Sequence, residues 1–310
     1  MTVALPHRGR QAWSASARGF ALCSSAMITL GASFPINQLL LGYPTSLSQA
    51  LRYGLAALVL IYIAALSGRA LLRGIRAEQW LRLALVGGSL VPFNLLLFES
   101  LRRADPAVVA TVLGCAPIGM AVCGPLLRGR APAVRLLAAA GIVAAGTAVV
   151  HGGGRTDTVG VLCAAGALVA DMAFTIWAAG LMAELDAVAV AAGSSMAAVP
   201  LFVATALVSG EVSSWRLPTA AQGAAIGFLA VVLTAVAFVW WFRGVDEIGV
   251  DHAGITISWV PVATVATAAV QHGAWPQPSE VLGVAVVAAG LVMGLAPPKR
   301  RRGFGPQASL

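Results

Sequence analysis

Charged residues are scarce in this sequence. Asp, Glu, Lys and Arg together occupy 10% of the 310 positions, whereas they occupy roughly 25% of an average soluble domain. Hydrophobic residues account for 59% of the chain. So low a density of charge excludes an ordinary water-soluble surface, and the composition therefore predicts an integral membrane protein.

Motifs of several enzyme and cofactor classes are also missing. The four cysteines lie in apolar segments without CxxC spacing, so neither a disulfide framework nor a zinc site is indicated. The chain contains no nucleotide-binding loop, which excludes ATP as the direct energy source. The His-Gly-Gly-Gly-Arg stretch at 151–155 looks like an esterase oxyanion motif, but the GxSxG nucleophile elbow is absent. We interpret that stretch as a linker and expect no cofactor and no metal.

The basic residues do not form a patch suited to nucleic acid. The formal net charge is +8, but the arginines flank apolar runs, which indicates membrane topology instead. With the N-terminus inside, 15 of the 20 Lys and Arg residues fall on the cytoplasmic side. The positive-inside rule therefore predicts a multi-pass protein of the inner or plasma membrane with both termini in the cytoplasm.

Ten apolar runs are long enough to cross a bilayer. Each contains about 20 residues, the length that a hydrocarbon core of about 30 Å requires. The runs cover 18–41, 46–67, 78–101, 105–127, 133–151, 158–182, 187–208, 219–242, 248–271 and 279–296. The predicted fold class is an all-α integral membrane protein with ten transmembrane helices.

The chain also repeats itself. Residues 117–146 return as 261–290 at a constant offset without a gap, so that Pro117 aligns with Pro261. Each half then holds five spans, an odd number, and the second half must start on the opposite side of the membrane from the first. We predict two inverted five-helix repeats at 17–151 and 158–296, joined by a linker at 152–157. Residues 1–16 and 297–310 are expected to be cytoplasmic tails.

One alignment within the repeat is unexpected. Arg102 and Arg103 of the first half align with Asp246 and Glu247 of the second. The positive-inside rule does not predict this exchange of sign. The rule favours positive charge at the cytoplasmic side, where the second copy lies. The sequence alone provides no physical account of it.

Several segments resemble the EamA branch of the drug/metabolite transporter (DMT) superfamily. Leu101-Arg-Arg-Ala-Asp-Pro-Ala-Val-Val-Ala-Thr and Cys115-Ala-Pro resemble its passage from the third to the fourth helix, and Ile248-Gly-Val-Asp-His-Ala-Gly with Trp259-Val-Pro-Val-Ala resembles the second copy. Gly31-Ala-Ser-Phe-Pro and Arg52-Tyr53 also fit the family pattern. The resemblance covers about residues 17–296. It implies a secondary carrier that exports a small polar or amphipathic metabolite, such as an amino acid or a drug-like compound, through a cavity between the halves.

Asp171 is the clearest functional candidate. It lies near the middle of the sixth span, where an ionisable group is costly and marks a functional site by default. A low-polarity environment favours its neutral form, so Asp171 could bind a proton on one side of the membrane and release it on the other. The alternative is a structural carboxyl that is hydrogen-bonded to nearby hydroxyl and backbone groups.

Polar side chains in three other spans are candidates for lining a cavity. Some share one helix face by their spacing, and His252 could relay protons because its ordinary pKa lies near neutral pH. Helix packing is the alternative for the hydroxyl residues, and an interfacial position is the alternative for the histidine. The candidates are Thr29, Ser33 and Asn37 in the first span, Asn94 in the third, and His252, Thr256 and Trp259 in the ninth.

Four further residues are candidates for gating. Arg52 and Glu99 come out at similar depths near the outer ends of their spans, so we predict an ion pair between them; snorkelling of each side chain to water is the alternative. Pro117 and Pro261 each remove a backbone hydrogen bond. Their matched bends would let one half rock against the other.

The sequence leaves several functions open. A proton-coupled exporter and an uncoupled facilitative carrier differ only in the role of Asp171. A membrane-embedded enzyme acting on a lipid-linked substrate would need clustered catalytic or metal-binding residues, whereas the four histidines are scattered. A non-transporting membrane partner would lack a wet central cavity. The glycine-rich fifth and tenth spans are suited to close packing or to contact in a homodimer.

Overall fold

A computed structural model describes residues 8–66, 71–116, 118–119, 131, 134, 138, 141, 142, 145 and 157–295. Every regular element in these ranges is helical. The helices are α1 (Arg8–Gln38), α2 (Thr45–Leu66), α3 (Ala77–Arg103), α4 (Pro106–Leu113), α5 (Thr158–Met182), α6 (Ala187–Val208), α7 (Ala220–Phe228), α8 (Phe238–Thr256), α9 (Trp259–His272) and α10 (Pro278–Leu295). A 3₁₀ turn covers Glu211–Ser214, and a π-helical segment, Leu229–Ala237, joins α7 to α8.

Six of these helical stretches are long and apolar enough to cross a membrane. They are Ala17–Gln38, Thr45–Leu66, Ala77–Arg103, Thr158–Met182, Ala187–Val208 and Ala220–Gly249. Each has at least 22 residues, which corresponds to about 33 Å of helix and exceeds a hydrocarbon core of about 30 Å. The chain is therefore an all-helical, multi-pass membrane protein.

Some predicted boundaries fall where the structure differs or gives no description. Helix α1 begins at Arg8, inside the segment expected to be a tail, because residues 8–17 contain no proline to stop a helix from extending outward. Most of the predicted fifth span and of the linker lies outside the described residues, as do residues 1–7 and 296–310.

The predicted fourth and ninth spans are both interrupted. Helix α4 stops at Leu113 and is followed by a turn at residues 114–115; α8 stops at Thr256, and α9 starts after a turn at residues 257–258. These turns are equivalent in the repeat, and each precedes one of the aligned prolines. A proline cannot donate to the carbonyl four residues earlier, so the helix ends there.

The eighth span is irregular in a different way. Its middle nine residues form the π-helical segment, a type of local widening that is frequent at functional sites. Helix α8 then continues to Thr256 through Gly249, whose φ is 78°. Because only glycine adopts this left-handed region without steric cost, Gly249 marks the turn between the predicted eighth and ninth spans.

The packing of the helices is symmetric between the two halves: the main contacts that a helix makes are repeated by its counterpart in the other half. Helix α1 packs against α8 and α9, and its counterpart α5 packs against α3 and α4, while α2 packs against α6. Close approach depends on glycine at several crossings. A Cβ built at Gly87 on α3 would lie 2.6 Å from the Ser194 backbone oxygen on α6, and one at Gly31 would meet the Val260 carbonyl oxygen.

Two ion pairs join the halves at opposite ends of the bundle. Arg18, at the start of the first span, binds Glu247 near the end of the eighth. Arg103, at the end of α3, binds Asp157, which precedes α5. Helices α1 and α5 therefore begin at opposite ends and run in opposite directions.

These pairs explain the exchange of sign between Arg103 and Glu247, but not the one between Arg102 and Asp246. Arg103 aligns with Glu247, and their partners, Asp157 and Arg18, carry the opposite charges at nearly equivalent positions. Each pair stays complementary because both members change sign together. The N–H of Gly160 donates to Asp157, and this bond, together with Arg103, holds the pKa of the Asp157 carboxyl below its usual value.

The loops are bound across the halves in the same pattern. Glu184, between α5 and α6, accepts hydrogen bonds from Arg76, Gln79 and Arg82 at distances of 2.8–3.0 Å. At the other end, the backbone N–H of Ser46 donates to Glu211 at 2.7 Å. The two halves are thus tied together at both membrane surfaces.

Gly87 and its neighbour Gly88 provide a matched test of the α3–α6 crossing. A Cβ at Gly88 would lie 3.8 Å from Leu201, an ordinary contact, and both alanine variants gain the same helix propensity. We expect Gly87→Ala to destabilise the purified protein by about 1–3 kcal/mol, a typical cost of overpacking, and Gly88→Ala not to. Thermal unfolding in detergent would measure this, and equal effects would contradict the close crossing.

The Arg18–Glu247 pair can be tested by reversing its charges. Glu247→Arg places two arginines together and should lower the unfolding temperature. The added change Arg18→Glu should restore it, because the attraction is re-formed with the charges exchanged. We expect a small effect, since 71% of the Arg18 side chain is exposed. Additive effects of the two changes would show that the pair contributes nothing.

Candidate functional site

A buried polar cluster surrounds Arg52. Although it lies inside a membrane-spanning helix, Arg52 is 3% exposed. Its Nε donates to Thr234 Oγ1 at 2.9 Å, and its Nη1 donates to Gln49 Oε1 at 3.1 Å and to Asn94 Oδ1 at 3.3 Å. The guanidinium carbon lies 4.9 Å from the centre of the Tyr53 ring. We call these five residues the Arg52 cluster.

Three helical elements position this cluster. Gln49, Arg52 and Tyr53 share one face of α2 at i, i+3 and i+4. On α3, the Asn94 amide donates to the Tyr53 hydroxyl at 3.0 Å and to its own helix, which fixes its oxygen toward Arg52. Thr234 lies in the π-helical segment and donates to Leu229 O at 2.8 Å, leaving its oxygen to accept from Arg52. Both halves of the chain therefore contribute to the cluster.

The predicted ion pair between Arg52 and Glu99 is wrong. Glu99 instead binds Arg103 at 2.6 Å and Arg102 at 3.3 Å. These arginines lie three and four residues further along the same helix, where side chains meet without crossing the bundle. Among the residues that the structure describes, no carboxylate lies within ion-pair distance of Arg52.

Asp171 lies on the inward face of α5. It shares that face with Ala167, Phe174 and Ala178, which are all buried, yet Asp171 itself is partly exposed. The face toward lipid is the opposite one, on which Val169 is 66% exposed. Asp171 is therefore partly exposed on the side of α5 that is turned away from Val169.

The surroundings of Asp171 include the fourth span. A Cβ at Gly119 would lie 2.9 Å from the sulfur of Met172, the residue next to Asp171. Within the described part of the chain, the Asp171 carboxylate has no hydrogen bond or ion pair; its backbone oxygen accepts from Thr175 at 3.0 Å. The structural alternative for Asp171, a carboxyl held by nearby hydroxyl groups, is not what these contacts show.

The three candidates on α1 differ in whether their side chains are hydrogen-bonded. Thr29 and Ser33 donate to carbonyl oxygens of their own helix, to Ser25 at 2.8 Å and to Leu30 at 2.6 Å. These hydroxyls are thereby satisfied without a ligand. Asn37 is fully buried, and neither its amide nitrogen nor its oxygen has a hydrogen-bond partner among the described residues. Asn37 is therefore the stronger candidate of the three.

The candidates in the predicted ninth span do not share one helix. Thr256 ends α8, is 4% exposed and donates to Ala253 O at 2.7 Å, whereas Trp259 begins α9 and is 46% exposed. The turn between them breaks the face predicted from the spacing. The side chain of His252 lies outside the described residues.

Of the two aligned prolines, the structure describes Pro261 only. Pro261 is buried in the first turn of α9, so it begins a helix instead of bending a continuous one. Its Cδ lies 3.8 Å from a Cβ built at Gly114, in the turn that follows α4, which brings the two interrupted spans together. Pro117 lies outside the described residues.

A cavity of about 230 Å³ opens at the end of the bundle where α5 and α6 meet. It is bounded by the α5–α6 turn and by α8, and its lining includes Asp186, Arg243 and Asp246. Asp186 already accepts from the first N–H groups of α6 at 2.7 and 2.9 Å. Among the described residues that line it, none was predicted from the sequence as part of a site.

Sequence reasoning missed Gln49, Tyr53 and Thr234 as members of a site. The spacing of Gln49, Arg52 and Tyr53 on one face of α2 was available as a signal. Thr234 had none, because a single threonine in an apolar run is ordinary, and its role depends on the π-helical segment.

Comparisons with known proteins agree with this architecture. The model of the EamA-like transporter family matches the chain twice, over residues 17–151 and 158–295. The uncharacterized transporter YyaM of Bacillus subtilis (strain 168) is 27% identical over 256 residues, covering 76% of this chain and 80% of its own. A solved crystal structure covers 90% of this chain and 96% of its own at 20% identity, with a TM-score of 0.66, and shares the fold. The two family matches together cover most of the sequence, and the chain belongs to the EamA-like transporter family.

Proposed function

We propose that this membrane transporter exports a small metabolite by alternating access, using ten helices arranged as two inverted five-helix repeats. The observation that carries the proposal is the paired packing of the halves. Helices α1 and α5 are counterparts that run in opposite directions, and each packs against the other half through equivalent partners. Inverted repeats of this kind allow two nearly equal conformations that open to opposite sides.

The ion pairs suit a gating role in this mechanism. Arg18–Glu247 closes the contact between halves at one end, and Arg103–Asp157 closes it at the other. Both pairs are partly exposed, so each can break in water at modest cost. Alternating access requires that one end opens while the other stays closed. By the positive-inside rule, the end that carries Arg18 faces the cytoplasm, as do both termini.

Asp171 supports coupling to protons. It lies on an inward face near the middle of the bundle, with partial exposure and without a partner in the described chain. A carboxyl in such a position exchanges a proton with whichever side has access to it. Export would then be driven by protons that move inward by way of Asp171.

Proton coupling can be tested in proteoliposomes loaded with an exported solute. We expect an imposed pH gradient to accelerate flux through the wild-type protein, and we expect Asp171→Asn to abolish that acceleration because asparagine cannot release a proton. Glu78→Gln is the matched control, since Glu78 is an exposed carboxylate at a helix start. Flux that ignores the gradient in the wild type would overturn proton coupling and support an uncoupled carrier.

Alternating access can be tested with cysteines introduced at Ser33 and Thr256 in a variant that lacks the native cysteines. Both positions are almost fully buried, at 1% and 4% exposure. We expect a membrane-impermeant thiol reagent to modify them slowly, and solute to change the rate, because opening of the halves would expose them. A rate that no solute changes would favour a membrane protein without a transport cycle.

A homodimer remains a prediction from the glycine-rich fifth and tenth spans. Helix α10 carries exposed Val281 and Leu282 and has few contacts with the other described helices. This surface fits lipid as well as a second copy of the chain, so the transport cycle proposed above does not depend on a dimer.

A further inference from the structure

The positive charge of Arg52 has no counter-ion in the described part of the chain. Its three hydrogen bonds go to a hydroxyl and two side-chain amides, which are neutral acceptors. Its Nη2 group donates to no acceptor among the described residues. Burying a charge inside a membrane segment is costly, and such residues pair with an opposite charge or serve a substrate pathway.

A purely structural role accounts poorly for this residue. Helices α2 and α3 and the π-helical segment could be held together by neutral amides and hydroxyls, which carry a smaller desolvation cost than a guanidinium. The other arginines that bridge helices in the described chain do so at the bundle ends and each bind at least one carboxylate, as Arg76 and Arg82 bind Glu184. Arg102, which donates to the Thr45 hydroxyl on α2, also binds Glu99. Arg52 differs because it is buried and its partners are neutral.

The neutral partners also fix the orientation of the guanidinium. Thr234 holds Nε, while Gln49 and Asn94 both hold Nη1. This arrangement leaves Nη2 without an acceptor among the described residues. The ring of Tyr53, which is stacked on Phe202 at 5.5 Å, supports the planar guanidinium from one side. A guanidinium that is held in this way is preorganised for a carboxylate, because little rotational freedom remains to be lost on binding.

We infer that Arg52 anchors an anionic group of the transported substrate, and that this group is a carboxylate. The inference rests on the proposed transport function and names the charge class of its substrate. One guanidinium matches the single negative charge of a carboxylate, with which it forms charge-assisted hydrogen bonds. A phosphate group carries nearly two charges, and the Arg52 cluster contains no second cation to balance them. Because Thr234 belongs to the second half, the anchor joins both halves when the substrate binds.

The test compares probes that share one carbon skeleton and differ in charge. 3-Phenylpropionate is anionic, 3-phenylpropionamide is neutral and 3-phenylpropylamine is cationic; acetate and acetamide form a second pair that fits a carboxylate site of any shape. Binding would be measured as stabilisation of the full-length protein in detergent at constant ionic strength. Phenylphosphonate tests the doubly charged alternative.

The variants are Arg52→Gln, Arg52→Lys and the control Arg76→Gln. We expect the carboxylates to stabilise the wild type and the control. Arg52→Gln should weaken carboxylate affinity by about tenfold or more, the loss expected from a charge-assisted hydrogen bond in a buried site. Arg52→Lys should retain part of the affinity, because lysine keeps the charge but not the fork of donors. Should Arg52→Gln fail to fold, Arg52→Lys and Thr234→Val carry the test, since each leaves a positive charge in place while disturbing its orientation.

The outcomes separate the anchor from the transport function. Carboxylates that bind Arg52→Gln as well as the wild type, or neutral, cationic or phosphonate probes that bind better than carboxylates, would overturn the anchor. The same probes are then tested for efflux from proteoliposomes. Carboxylate binding that depends on Arg52 without any efflux would leave the anchor standing and overturn transport. Efflux of 3-phenylpropionamide at a rate that Arg52→Gln does not change would overturn the anchor and leave the transport function standing.

Discussion

Hydrocarbon offers no hydrogen bonds, and this constraint determines where polar groups lie in the protein. Most hydroxyl groups inside the spans donate to carbonyl oxygens of their own helix, as Thr111 and Ser194 do at 2.7 and 2.6 Å. Groups that cannot be satisfied locally must meet across helices, and Arg52 meets Asn94 and Thr234 in this way. The side chains of Asn37 and Ser195 are buried without a hydrogen-bond partner in the part of the chain that the structure describes. Burying such a group without a hydrogen bond costs free energy, which a bound molecule would offset by supplying the bond.

The exchange of charge between Arg103 and Glu247 follows from the same need to give each polar group a partner. A repeat that kept Arg103 and also placed an arginine at position 247 would set two arginines together, because Arg18 is the neighbour of that position. The chain keeps attraction at both ends by reversing both members of one pair. The attraction between the halves is therefore kept although the aligned residues carry opposite charges. An alignment of the repeat alone could not explain this change of charge, because it does not show the partner of each residue.

Much of the helical framework was predictable because long apolar runs have few alternatives in a membrane. The runs 158–182 and 187–208 coincide with α5 and α6. The interruptions were not predicted, although the prolines that cause them were, since a proline can bend a helix or end it. The Arg52–Glu99 pair failed for a different reason. The prediction compared only the depths of the two side chains in the membrane and took no account of closer partners. The next turn of α3 already supplies two arginines to Glu99. The π-helical segment has no sequence signature, so the position of Thr234 could not be anticipated.

The interrupted spans have an electrostatic consequence. Helix α4 ends, and α9 begins, where Gly114 and Pro261 come together. A helix end carries about half an elementary charge, negative at the C-terminus and positive at the N-terminus, so two opposite helix dipole ends meet inside the bundle. These partial charges belong to the backbone, and neither a change of pH nor an ordinary side-chain substitution removes them. The contact between α4 and α9 is consequently polarised at every pH, although Gly114 and Pro261 themselves carry no polar side chain.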